Sequence, residues 1–307
     1  MRAIIFDIET GPLEREILDE LLPAFSEEDV ALGNVKDPEK IRERIESARR
    51  KHADSFYDQA ALAARTGQVL AIGYRQFRTS APLLEWQTAQ TVLLYNALEG
   101  GPSNLPSEFI DRKIQLRGAV NEKEMLEVWW NVVCSGNTPL LVGFNSHDFD
   151  LPFLLQRSLA NSVPAPPIRR GHRWSDYCID LKEVWACGSR GPCSKGRLDD
   201  LARFVGAARK TGDGALFHEH FRADEKTRQE AMAYLANDID MTVGVAWRLH
   251  TLTPLHGQFE WRNPWFSRPR WNGPEERTVA APEVLKPAAV DGPPFDEGGE
   301  FGPVSNE

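Results

Sequence analysis

The chain opens on a short apolar run, residues 2–8, that ends in acidic side chains, a pattern that predicts a central β-strand. Residues 14–25 and 38–64 carry helical patterning, and the second stretch is densely charged (Lys40-Ile41-Arg42-Glu43-Arg44-Ile45-Glu46). Residues 69–77, behind the turn signal Thr66-Gly67, and residues 83–88 read as strands. Residues 122–133 predict an amphipathic helix behind Asn121 as N-cap. A buried strand over 140–144, a helix over 149–161 and a strand over 177–181 follow, and helices over 197–205 and 227–250 close the body. Strands come first and then alternate with helices, which predicts an α/β fold with a mixed sheet.

Beyond this body the pattern fades. From Trp271 the chain is rich in Pro and Gly and poor in aliphatic residues, so 271–307 is expected to be a disordered acidic tail behind a domain of residues 1–270. The aromatic segment Phe259-Glu260-Trp261-Arg262-Asn263-Pro264-Trp265-Phe266 is expected to pack back on the body. The tail changes how the net charge of −9 is read: its eight acids against two bases account for −6 of it. The remaining body is close to neutral, with basic clusters at Arg49-Arg50-Lys51 and Arg169-Arg170-Gly171-His172-Arg173. That balance neither demands nor forbids a polyanionic partner.

No apolar run approaches the roughly 18 residues of a membrane span, and the N-terminus turns acidic too soon for a signal peptide. The expected compartment is the reducing cytoplasm, which suits the four cysteines. No C-x2-C pair is present; Cys187 and Cys193 with His172 form at most a weak metal clamp, against free thiols as the plain alternative. No G-x-S-x-G elbow supports a serine hydrolase.

Three segments carry chemistry. In Phe6-Asp7-Ile8-Glu9-Thr10, side chains two apart on a strand share a face, so Asp7 and Glu9 point the same way. Two adjacent carboxylates repel unless protons or cations neutralise them, and hard ions such as Mg2+ or Mn2+ prefer such oxygens; taken alone, the pair reads more readily as a structural or solvated strand end. In Gly143-Phe144-Asn145-Ser146-His147-Asp148-Phe149-Asp150-Leu151-Pro152-Phe153, a strand runs through a polar turn into a helix. Asp150 there is either the N-cap or a catalytic acid. In Tyr234-Leu235-Ala236-Asn237-Asp238, the i, i+4 spacing places the phenol and the carboxylate on one helix face.

In this order the segments resemble the Exo I, Exo II and Exo III motifs of DEDD exonucleases, and Exo II is similar to that of family B DNA polymerase proofreading domains. Tyr234-x3-Asp238 resembles the DEDDy subgroup; the DEDDh subgroup would place a histidine where Ala233 stands. Thr66-Gly67-Gln68-Val69-Leu70-Ala71-Ile72-Gly73-Tyr74 and Leu198-Asp199-Asp200-Leu201-Ala202 also resemble this family, which covers roughly residues 1–250. With no polymerase domain in the sequence, the resemblance is to a stand-alone enzyme of bacterial or phage type. It implies an RNase H-like (DnaQ-like) fold, a 3′–5′ exonuclease yielding nucleoside 5′-monophosphates, and a nucleic-acid partner, a single-stranded DNA or DNA 3′ end. It implies two Mg2+ or Mn2+ ions held by Asp7, Glu9, Asp150 and Asp238, with Tyr234 orienting the attacking water. It also implies substrate contacts by Thr10, Phe144 and Asn145. Asp148 falls at a variable position, and His147 is the nearest alternative for orienting water. The charged insert at about 23–61 departs from the family pattern and is either a lid or a solvent-exposed excursion. Rival readings are a non-catalytic module that binds nucleic-acid ends and a metal-dependent endonuclease on the same fold.

Overall fold

The computed structural model describes residues 2–104, 109, 112–136, 139–166, 178–186, 191–207, 212 and 214–252. The tail from residue 271, the aromatic segment 259–266, the basic cluster 169–173 and the side chains of Cys187, Cys193 and His172 lie outside the described residues.

Six strands form one sheet in the order β4-β3-β2-β1-β5-β6. They are β1 (Arg2–Pro12), β2 (Gly67–Arg78), β3 (Thr91–Asn96), β4 (Ile114–Ala119), β5 (Leu140–Gly143) and β6 (Cys178–Asp180). Only β2 runs against the rest: it is antiparallel to β1 and β3, whereas β1/β5, β5/β6 and β3/β4 are parallel. This is the expected mixed sheet in an RNase H-like arrangement. Around it lie α1 (Arg15–Leu21), α2 (Pro38–Asp58), α3 (Leu83–Thr88), α4 (Glu122–Cys134) and α5 (Asp150–Ala160), then α6 (Leu181–Ala186), α7 (Leu198–Val205), α8 (Phe217–Arg222) and α9 (Glu225–Leu252).

β1 is central because both of its faces are apolar. Ile4, Phe6 and Ile8 pack with Tyr74, Trp129 and Leu154 on one side. Ala3 and Ile5 pack with Val142 and, from α9, Ile239 and Met241 on the other. Period-2 alternation therefore sends the odd-numbered Asp7 and Glu9 to the α9 side. α4 starts as expected, with the Asn121 side chain accepting from the Glu124 N–H at 3.0 Å. A buried ion pair fixes α5: Glu122 accepts from Arg157 (2.6 Å) and Asn161 (2.9 Å) and from the Val69 N–H of β2 (2.8 Å).

Three expectations need correction. Residues 83–88 are helix α3, because only Trp86 of that stretch is buried while Leu84 is 68% exposed. A strand needs every second residue inside, whereas one buried residue per turn suits a short helix. The neighbouring strand is β3, displaced to residues 91–96. The helix read over 38–64 ends at Asp58, followed by a 3-10 turn, Ala60–Leu62. Asp150 is the first helical residue of α5, and the cap position belongs to Phe149.

α2 has no buried residue. It is tied down near its C-terminal end: the Tyr57 hydroxyl donates to Asp19 at 2.7 Å, with the Arg15 guanidinium 3.4 Å from the Tyr57 ring centre, and His52 meets the Pro23 carbonyl at 2.9 Å.

Candidate active site

The site forms where β1 outruns its neighbour. β1 pairs with β5 only through Ala3, Ile4 and Ile5, so the Ile8 N–H has no strand partner on that side. The Asp150 carboxylate, at the start of α5, accepts it at 3.2 Å. A buried backbone donor must find a partner, and here a carboxylate supplies one. Asp150 is 3% exposed. Burial pushes its carboxyl up to about 7; the Ile8 N–H and its own N–H hold it down, and the charge of Asp180 raises it further.

On the other face of β1, Asp7, Glu9 and Asp238 each offer a carboxylate oxygen, and these atoms lie within 4.8 Å of one another. Glu9 and Asp238 are buried, and Asp7 is half-buried. Three negative charges at that separation favour a divalent cation with oxygen preference, so the donor set fits a hard divalent ion. Asp150 is not part of this trio; it reaches the site through the Ile8 backbone.

What lets α9 deliver Asp238 is a glycine on β2. Gly73 sits opposite Asp7 in the β1/β2 register. A methyl group there would fall 3.0 Å from Ile239 and Leu235 of α9, so the helix lies directly on the glycine backbone. Tyr234 stands one turn before Asp238 on the same helix, close enough for that carboxylate to act on its hydroxyl. Burial, first, and then the charges of Asp238 and Glu9 drive the phenol far above its usual range, so it stays protonated. Gly214 holds the chain against this hydroxyl, since a Cβ on it would lie 3.0 Å from the Tyr234 oxygen.

The remaining expected residues have other immediate partners. The Thr10 hydroxyl donates to the Ala61 carbonyl at 2.8 Å, stapling the end of the insert to β1. Phe144 lies partly buried against the core cluster of Val142 and Ile179. Asn145 has a left-handed backbone (φ +62°), and its side-chain oxygen accepts from Lys182 at 2.8 Å. Asp148 is exposed, and His147 faces Glu183 through Nδ1 at 3.0 Å. Asp180 and Lys182, which hold this turn, were not singled out from the sequence. The available signal was an acid closing a short apolar strand, the same signature that marks Asp7.

Residues 111–254 match the profile of a family described as "Predicted 3'-5' exonuclease related to the exonuclease domain of PolB". The matched segment carries Asp150, Tyr234 and Asp238, and the match supports a nuclease function. Asp7 and Glu9 precede it. No curated protein sequence matches the chain. Solved structures similar to it include the family B DNA polymerase from the hyperthermophilic archaeon Pyrobaculum calidifontis, at 16% identity and a TM-score of 0.45. That likeness covers 81% of this chain and 24% of the polymerase chain, so the present chain spans about a quarter of it. Among the described residues, no helix is long and apolar enough to cross a membrane.

Proposed function

We propose that this chain is a metal-dependent 3′–5′ exonuclease of the DEDDy type, in a cytoplasmic domain of residues 1–270 with a helical insert at 23–61 and an acidic tail from 271. The observation that carries this is the meeting of Asp7, Glu9 and Asp238 within 4.8 Å, with Tyr234 one turn before Asp238 on α9. Two ions, Mg2+ or Mn2+, are the proposed occupants, held by Asp7, Glu9 and Asp238 with Asp150 beside them. When bound, they would supply water activation and charge neutralisation at the scissile phosphate.

The protein's own groups divide the remaining work. Asp7, Glu9 and Asp238 present a fixed acidic face that needs no rearrangement during the reaction. Tyr234, held protonated, is unsuited to take a proton; its oxygen would orient the attacking water by hydrogen bonding. Phe144 and Asn145 would meet the terminal nucleotide, by stacking and by a sugar contact. DNA is proposed over RNA because the matching family is related to the exonuclease domain of PolB.

The test uses 5′-labelled single-stranded DNA, its RNA equivalent and a duplex with a recessed 3′ end, each with Mg2+, Mn2+ or EDTA. The expected result is a ladder shortening from the 3′ end, mononucleotide release, and none of either in EDTA. Internal cuts appearing first, or intact substrates with both ions, would overturn the proposal.

A further inference from the structure

Besides the acidic trio, the carboxylate of Asp180 lies against the Exo II turn, and its surroundings are of a different kind. Asp180 closes β6 and is 3% exposed. Its Oδ1 accepts the backbone N–H of Asn145 at 2.8 Å and that of Lys182 at 2.9 Å. Its Oδ2 accepts the N–H of His147 at 3.0 Å. Three backbone donors converging on one carboxylate form charge-assisted bonds, stronger than neutral ones. Two of the three come from the turn that leads from β5 into Asp150.

That turn needs holding. Asn145 adopts φ +62°, a conformation uncommon for a residue with a Cβ and sustained only by its surroundings. Two further ties run from the same short segment. The Lys182 ammonium donates to the Asn145 side-chain oxygen at 2.8 Å, and Glu183 meets His147 Nδ1 at 3.0 Å. Because a lysine only donates, its contact fixes which end of the Asn145 carboxamide is oxygen and leaves the nitrogen as the donor end. Turn residues 145 and 147 are thus bound at four points to residues 180–183, and Asp150 follows three residues later.

We infer that Asp180 and Lys182 are positioning residues of the exonuclease site: Asp180 holds the turn that sets Asp150 against β1, and Lys182 presents the Asn145 amide nitrogen to the terminal nucleotide. This rests on the function proposed above, and it divides the two residues by effect. Loss of the Asp180 brace displaces a group at the reacting centre and lowers kcat. Loss of the Lys182 contact releases a substrate-binding side chain and raises KM.

The experiment compares the full-length wild type with Asp180→Asn, Lys182→Met and Lys182→Arg. Backbone amide hydrogen exchange is measured over residues 144–150, and kcat and KM are measured on a single-stranded DNA oligonucleotide with Mn2+. In Asp180→Asn an amide –NH2 faces at least one of the three backbone N–H groups, so exchange at Asn145 and His147 should quicken. Its kcat should fall about 10- to 100-fold, the cost of a misplaced reacting group, with KM within about twofold of wild type by the same argument. Lys182→Met should raise KM about 2- to 10-fold, the range for one hydrogen bond, with kcat nearly unchanged, and Lys182→Arg should restore part of the loss. A folded Asp180→Asn protein with unaltered exchange at 145 and 147 overturns the brace, as does a Lys182→Met variant that lowers kcat and leaves KM alone. If Asp180→Asn does not fold, the two Lys182 variants decide. If the wild type shows no nuclease activity, the proposed function falls and the exchange data alone decide whether the brace exists.

Discussion

Two groups of acids sit near the C-terminal end of β1, and their neighbours differ in sign. Asp7, Glu9 and Asp238 face one another within 4.8 Å, so each adds to the negative potential felt by the others. Asp180, buried on the far side of β5, faces three backbone N–H groups at 2.8–3.0 Å. Asp150 stands between these cases: it accepts one N–H from β1, is buried, and lies close enough to Asp180 to feel its charge. Residue type does not separate a cation site from a structural acid; the polarity of what surrounds each carboxylate does. A carboxylate among carboxylates favours a cation or a proton, whereas a carboxylate among amides is already stabilised by the fold.

This contrast breaks first if the trio is dispensable. Asp7→Ala or Asp238→Ala should lower DNA hydrolysis on the order of 1000-fold or more, with a thermal midpoint in EDTA equal to or above wild type because repulsion is relieved. An Asp7→Ala protein with wild-type turnover would remove the trio from the reaction. Next comes the intermediate acid. Asp150→Asn should slow hydrolysis by about two orders of magnitude, whereas Asp148→Asn, on an exposed side chain, should change it only modestly; reversed effects would shift the Exo II assignment by two residues.

Asp150 also carries a pH signature with a definite sign. Its carboxyl is raised in the folded state to about 7, so between its unfolded value and that point the native protein binds more proton than the unfolded chain. Metal-free stability should therefore fall as pH rises from about 4 to about 7. Denaturant melts in EDTA should show this slope in wild type and a flatter one in Asp150→Asn.

Tyr234→Phe should cut the rate about 10- to 1000-fold, the range for losing one oriented group, while calorimetric Mn2+ affinity is retained. The phenol is held far above its usual range, so the acidic limb of the pH–rate profile should not move. The smallest effect is expected at Gly73. Gly73→Ala puts a methyl 3.0 Å from Leu235 and Ile239 and should cost about 1–3 kcal/mol of stability in urea melts, typical of overpacking. Activity should drop about tenfold, because Asp238 shifts relative to Asp7.

Much of this was legible in the sequence because the parts involved are regular. Period-2 alternation in β1 places Asp7 and Glu9 on one face, and the i, i+4 spacing in α9 aligns Tyr234 with Asp238; both are local rules. α4 and its Asn121 cap were readable for the same reason. Short elements escaped: α6 and α8 are six residues each, too brief to display a helical period. β4 is an edge strand with exposed positions between its buried ends, so its alternation is weak. The roles of Gly73 and Asp180 escaped for another reason, since each acts on a neighbour that only the folded chain brings near.

The trio is also separated in time. Asp7 and Glu9 leave the ribosome first, and Asp238 follows roughly 230 residues later. At about 5–20 residues per second, that interval is on the order of ten to fifty seconds. Throughout it the emerging chain holds two of its three clustered acids and not the third, which lies on α9. A growing polypeptide, tethered beside messenger RNA, thus lacks the third acid of the cluster until Asp238 has been made.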